Sequence, residues 1–134
     1  MKQFSLLVLL FLSLGASLQA QHKIIWEVSS GDTSVQRMLY RQVNNVLNAA
    51  PDTKIEIVYH GLAIYAVLQD TGHYKNELKA VQQRGVLIAA CANSLRNRGI
   101  DPVRVMKEAF IVPVAILELV QKQEKGWSYI KAGN

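Results

Sequence analysis

The spacing of apolar and polar positions changes several times along the chain, and each change marks an element. Lys23 to Ser29 reads KIIWEVS, a β-branched and aromatic run that predicts a strand, and Ser30, Gly31 and Asp32 turn the chain after it. Thr33-Ser34-Val35-Gln36 has the spacing of a capping box, in which the Thr33 hydroxyl and the Gln36 side chain satisfy free amides. Val35, Met38, Leu39, Val43, Val46, Leu47 and Ala50 then recur at helical intervals until Pro51 and Asp52 stop the helix. Lys54 to His60 (KIEIVYH) predicts a second strand closed by Gly61. Leu62 to Leu68 is apolar and fits either a helical turn or a covered loop. His73 to Arg84 predicts a helix with Leu78, Val81 and Gln82 on one side, ended by Gly85.

Val86 to Ala90 (VLIAA) predicts a third strand, apolar at every position, as expected of a strand buried on both faces of a parallel sheet. Cys91 follows directly. Asn93 or Ser94 caps a short helix that Gly99 ends, and Asp101-Pro102 opens another turn in cap-then-N1 order. Ala109 to Val112 predicts a fourth strand ended by Pro113. The next helix is lined by Ile116, Leu117, Val120 and the stem of Lys122, and Gly126 ends it before a short fifth strand, Trp127 to Lys131. This order predicts an α/β fold: a three-layer α/β/α sandwich around a mostly parallel five-stranded sheet. No repeat, linker or low-complexity stretch divides residues 21–134, so they form a single domain.

The first twenty residues do not join that pattern. Lys2 precedes an apolar run from Phe4 to Leu14, and Gly15, Ala16, Ser17, Leu18, Gln19 and Ala20 follow, which is the plan of a cleavable secretory signal with cleavage after Ala20. The run is shorter than the ~20 residues that span a bilayer, so stable membrane insertion after signal removal is not expected. The expected location is periplasmic or secreted, where a lone thiol meets an oxidising compartment.

Composition narrows the chemistry. The chain has 134 residues, 50% of them hydrophobic and 19% charged, which excludes a disordered polymer. One cysteine excludes an intramolecular disulfide framework and a cysteine-rich zinc ribbon. The net charge of +5 is scattered, with no basic run of the kind that holds nucleic acid. No nucleotide motif is present, since the SSGDTS loop matches neither GxxxxGK(S/T) nor GxGxxG. Its simplest role is to cap a helix, although such a loop can also hold a phosphate or sulfate on its amides. His22, His60, His73 and Cys91 match no zinc spacing. No cofactor or metal is expected.

Ligands of an open parallel sheet meet the carboxyl ends of its strands. Cys91 lies there, between a buried strand and a helix start whose free amides favour an anion. A thiol near pKa 8.5 is only about 3% thiolate at pH 7. A drop of about two units, or roughly 2.7 kcal/mol, makes the thiolate the majority form, and a helix end with Arg96 or Arg98 nearby can supply it. The other reading of Cys91 is a small packing residue. His60 ends the second strand. If the second and third strands are neighbours, about 4.8 Å apart, His60 approaches Cys91 closely enough to take the thiol proton or steady the thiolate. No third orienting group is evident in the sequence. Trp26, Trp127 and Tyr129 read as core or interface aromatics.

Three segments together carry a resemblance: Val58-Tyr59-His60-Gly61; Ala90-Cys91-Ala92-Asn93-Ser94-Leu95 with Gly99-Ile100; and Val112-Pro113 followed by Ala115, Glu118-Leu119, Gln123, Gly126-Trp127 and Tyr129-Ile130. In order, over nearly the whole mature chain, they resemble the DsrE/DsrF-like (YchN-like) family in its small exported branch. Ala115 stands where relatives commonly have glycine, and Ala132 replaces their closing proline. The resemblance implies a five-stranded parallel sheet and assembly into oligomers, here a homo-oligomer. It also implies that sulfur is handled as a cysteine persulfide and passed to or from a donor or acceptor protein. Cys91 is then the sulfur-bearing nucleophile, His60 tunes it, and Asn93 and Ser94 hold the terminal anionic sulfur. Whether this makes the protein an enzyme is left open by the sequence; an active form is a sulfurtransferase-like carrier. Two other readings stand beside it: a non-catalytic exported binding or assembly module with Cys91 as packing, and a periplasmic thiol redox sensor.

Overall fold

The computed structural model describes residues 21–133, so the leader read at 1–20 lies outside the described residues. Five strands, β1 (Lys23–Val28), β2 (Lys54–Tyr59), β3 (Leu87–Cys91), β4 (Phe110–Val112) and β5 (Ser128–Lys131), form one sheet in the order β4-β3-β2-β1-β5. Every pairing in it is parallel. The helices are α1 (Thr33–Ala49), α2 (Lys75–Gln83), α3 (Ala92–Asn97) and α4 (Ala115–Glu124). The undecided apolar segment is a 3-10 helix, Gly61–Val67, with Ala63, Ile64, Ala66 and Val67 buried.

The strand order explains the layers. From β1 to β4 the chain steps one strand at a time in one direction, and right-handed crossovers then put every connection on one face. The last connection runs back past β1 to β5 and puts α4 on the other face. Strand residues alternate between the two. Trp26, Val28, Ile55, Ile57, Tyr59, Ile88 and Ala90 join Leu39, Tyr40, Val43, Leu47, Leu78 and Val81 in the larger core. Ile25, Val58, Ala89, Cys91 and Val112 join Ala115 and Leu119 of α4 in the smaller one.

Several boundaries differ from those the pattern predicts. Asp32, not Thr33, caps α1: its backbone is extended and its Oδ1 accepts from Ser34 N at 2.7 Å. A carboxylate both satisfies that amide and meets the positive helix end. Gln36 is buried on the inner side of α1 and does not reach back to the cap. The helix over 73–84 starts later, at Lys75. Strand β3 starts one residue later than expected, and Leu87 is exposed, because a single helix does not cover the whole second face. The largest correction concerns α4. Ile116, Leu117 and Val120 point to solvent, and the inward positions are Ala115, Leu119 and Lys122. The apolar residues of this helix crowd its first half and spread over more than one face, and its rotation is set by Lys122 pairing with Glu56, a wholly buried carboxylate of central strand β2.

Candidate functional site

Cys91 is the last residue of β3 and also the N-cap of α3. The helix cap expected at Asn93 or Ser94 is therefore the cysteine itself, and those two residues lie in the first turn of α3. The sheet brings a second helix start to the same atom. Strand β4 pairs Val112 with Cys91, so Pro113 and Val114 lead α4 in directly above the thiol. No side chain caps α4, and its first amide, Ala115 N, donates to Cys91 Sγ at 3.3 Å. The thiol thus sits between two helix N-termini.

Burial pushes the Cys91 thiol up. The Ser94 hydroxyl and the amides of Ala115, Ser94 and Asn93 outweigh burial and hold it below the ordinary thiol value. Among these, Ala115 N makes the one hydrogen bond of good geometry; the others face the sulfur more loosely. Ser94 is itself held in place, because its Oγ accepts from Gly61 N at 3.0 Å, which leaves the hydroxyl proton free for the sulfur. Gly61 has φ +55° and packs against Ser29 O, where a Cβ would lie 3.2 Å from that oxygen. The two arginines act at a distance from the sulfur. Arg96 donates to Asn93 Oδ1 at 3.1 Å, and Arg98 donates to Gly61 O at 3.0 Å. The expected role for either in lowering the thiol is filled by amides and a hydroxyl instead. Cys91 is 3% exposed, behind Val112, Ala115 and Leu119.

His60 follows β2 on the same face, but no hydrogen bond joins it to Cys91 among the described residues. Its Nε2 lies 2.8 Å from Glu27 Oε1 on β1. The expected imidazole–thiol contact is thus replaced by an imidazole–carboxylate pair, because β2 has a neighbour on each side and the ring turns to the charged one. Tyr129 of β5 donates to the other oxygen of Glu27. Burial pushes the Glu27 carboxyl up, and the Tyr129 hydroxyl, then His60, outweigh it and hold it below the ordinary value. The same carboxylate pushes the Tyr129 phenol up to about 12. Glu27 is the orienting group that the sequence did not disclose. A lone acid in KIIWEVS looks like an outward-facing strand residue, and only the strand order brings it to His60.

Further along this face, Glu56 pairs with Lys122, which also lies 3.6 Å from Glu118 and 4.6 Å from the Trp127 ring centroid. Trp26 is buried in the larger core, Trp127 is half-buried under Lys122, and Tyr129 is partly exposed beside Glu27. His22 and His73 lie away from Cys91, and the described residues hold no cluster of three metal-ligating side chains. Residues Ser30, Asp32, Thr33, Gln36 and His73 border an open cleft of about 490 Å³ that Cys91 does not line. The Asp32 carboxylate occupies the helix start where a phosphate would bind, so that loop serves as a cap.

Residues 22–132 match the model of the DsrE/DsrF-like family. Three solved structures share the fold. A protein of unknown function from Methanobacterium thermoautotrophicum is 23% identical, with a TM-score of 0.79 over 83% of this chain and 99% of that one. A conserved protein of unknown function from Bacteroides thetaiotaomicron is 20% identical, with a TM-score of 0.69 over 86% and 98%. The YchN protein of E. coli is 16% identical, with a TM-score of 0.61 over 83% and 98%. No curated protein matches the chain.

Proposed function

The chain belongs to the DsrE/DsrF-like family, and from that premise we propose that it carries sulfur as a persulfide on Cys91. The family resemblance implies sulfur handling. The observation that carries the reading in this chain is the thiol between the starts of α3 and α4, with Ala115 N on its sulfur and its proton affinity lowered despite burial. The same donors suit the product, because a persulfide is an anion at neutral pH and its charge can meet Asn93, Ser94 and Ala115. With no second cysteine to resolve the persulfide internally, the sulfur must leave to another molecule, a donor or acceptor protein or a small thiol. Under this reading the protein is exported behind the leader at 1–20. It also self-associates, as the apolar residues exposed on α4 and β4 support.

The test is intact-mass analysis after incubation with glutathione persulfide, with excess reagent removed. The expected result is one added sulfur atom per chain, removable by thiol, and none on Cys91→Ser. Equal labelling of the two proteins, or none on either, overturns the reading. A second reading, an exported assembly module with Cys91 as packing, is favoured by the near-complete burial of that residue. No labelling of the wild type, with alkylation only on unfolding, decides for it.

A further inference from the structure

Glu27, His60 and Cys91 occupy three adjacent strand ends, β1, β2 and β3, on the face covered by α4. The register fixes this. Val58 and Ala89 are partners on that face, so His60 and Cys91, each two residues further on, form the next pair of positions; Glu27 is the partner of Val58 on the other side. Neighbouring strands are about 4.8 Å apart. The order across the sheet edge is therefore carboxylate, imidazole, thiol.

The hydrogen bonds fix the imidazole. Glu27 is almost fully buried, and both its oxygens receive donors, Oε1 from His60 and Oε2 from Tyr129. An ionised carboxylate accepts and cannot donate, so Nε2 of His60 must carry the hydrogen between them. That leaves Nδ1 of His60 with no partner among the described residues, free to exchange a proton. The charged and titratable groups around His60 are Glu27 from β1, Tyr129 and Lys131 from β5, Cys91 from β3 and Arg98 from the end of α3. Further along the face, Glu56 of β2 and Glu118 and Lys122 of α4 are occupied with one another.

We infer that His60 is the proton carrier for sulfur exchange at Cys91, with Glu27 and Tyr129 as its positioning residues. The inference rests on the persulfide reading above. The ring and the thiol are not hydrogen-bonded at rest, so the sequence begins as the Cys91 thiol turns to Nδ1 of His60 on the neighbouring strand end and gives it its proton. The thiolate then attacks the outer sulfur of a small-thiol persulfide, R–S–SH. A bond forms between Sγ and that sulfur, the R–S bond to it breaks, and RS⁻ leaves. His60 returns its proton to RS⁻, giving RSH and Cys91–S–SH. One sulfane sulfur moves, no net oxidation occurs, and the proton that leaves Cys91 ends on RSH. The reverse sequence unloads the carrier. Glu27 holds the ring in the tautomer that does this and stabilises the transient imidazolium; Tyr129 keeps Glu27 aimed at the ring.

The distinguishing variable is the leaving group. An alkyl thiolate such as that of glutathione gains from a proton as it departs, whereas a sulfinate does not. The experiment compares the rates at which glutathione persulfide and methyl methanethiosulfonate modify Cys91 in the wild type, Glu27→Gln, His60→Gln and Tyr129→Phe. Melting temperatures are recorded for all four. General acid–base groups contribute about 10²-fold or more. The expected result is a loss of roughly that size for the persulfide in His60→Gln and Glu27→Gln, a smaller loss in Tyr129→Phe, and a clearly smaller loss in each for the thiosulfonate, which needs the proton taken from Cys91 but none returned to its sulfinate. Glu27→Asp recovers part of the rate. Equal losses with both reagents mean that His60 returns no proton to the leaving thiolate, and unchanged rates with both mean that the cluster plays no part; either result overturns the inference. If the wild type takes up no sulfur from the persulfide, the persulfide reading fails first, and that failure is visible separately because the thiosulfonate still reports on the thiol.

Discussion

Ala115 N donates to Cys91 Sγ at 3.3 Å, so the first residue of α4 is fastened to the last residue of β3. A thiolate there caps a helix that no side chain caps, and the charge of Cys91 is therefore linked to the seating of α4. The folded chain holds this thiol below its ordinary value. Between the folded and unfolded values the unfolded chain binds more protons, so stability rises with pH. The contribution is complete above the unfolded value of about 8.5 and is lost as pH falls through the folded value. The expected outcome is that urea midpoints, measured under reductant, rise from pH 6 to pH 9 for the wild type relative to Cys91→Ala. Parallel curves for the two proteins remove this link.

Ser94 should matter to the thiol more than either nearby arginine. Its hydroxyl faces Sγ while its Oγ accepts from Gly61 N. Ser94→Ala removes a donor to an anion, a contribution of about 1.5–3 kcal/mol, and so moves the midpoint of the iodoacetamide rate profile upward by about one to two pH units. It also leaves Gly61 N without an acceptor, at a cost of about 1–3 kcal/mol in stability. Ser94→Thr keeps both hydrogen bonds and should restore both quantities. Arg96→Gln and Arg98→Gln should leave the profile nearly in place. A shift in the arginine variants that matches Ser94→Ala would show that the charges, not the hydroxyl and amides, tune the sulfur.

The fold was legible in the sequence because each strand is a β-branched run with its own stop, as in KIEIVYH before Gly61 and VLIAA before the Cys91 turn. Cys91 and Ser94 were legible for the same reason, since a strand-to-helix junction announces free amides. The Ala115 amide was not, because backbone N–H groups have no residue signature and this one arrives from 24 positions away. The partner of His60 was misjudged because the sequence does not give strand order. A histidine leaving a central strand has two neighbours, and Glu27 on β1 holds a charge that Cys91 on β3 lacks when protonated. The inward side of α4 was misjudged because Ile116, Leu117 and Val120 outweigh Ala115 and Leu119 in apolar bulk, while the deciding contact is ionic.

That ionic contact can be tested by breaking it. Glu56 is wholly buried, its Oε1 has no partner among the described residues, and Lys122 supplies the charge opposite Oε2. Lys122→Met strands the carboxylate and should cost about 3–5 kcal/mol, whereas the double variant Glu56→Leu/Lys122→Met should fall within about 1 kcal/mol of the wild type or exceed it. Burial raises the Glu56 carboxyl above its ordinary value, with Lys122 opposing the rise. A raised folded value means that the folded chain binds more protons in the window, so this group's contribution falls as pH rises. Lys122→Met should therefore regain part of its loss between pH 7 and pH 5. A single variant as stable as the wild type at pH 7 would mean that α4 is held by Ala115 and Leu119 alone.

The turned-out side of α4 leads to the last prediction. Ile116, Leu117 and Val120 are about half exposed, and Phe110 of edge strand β4 is exposed on the face of the sheet that α4 covers. A group of large apolar side chains left open to solvent on one face marks an interaction surface. Strand β4 has only three residues, too few to extend the sheet into a neighbour by edge pairing, so the helix face carries the contact. A second copy of the chain is the expected occupant, in keeping with the assembly proposed above. Sedimentation velocity at micromolar concentration should show an oligomer for the wild type and monomer for Leu117→Glu and for Ile116→Glu, with unchanged helix content. Val103→Glu is the control: that side chain is 74% exposed on the separate 3-10 turn Pro102–Arg104, and the substitution should leave the assembly intact. A monomeric wild type rules out the contact. An oligomer that survives both α4 substitutions places it elsewhere on the molecule.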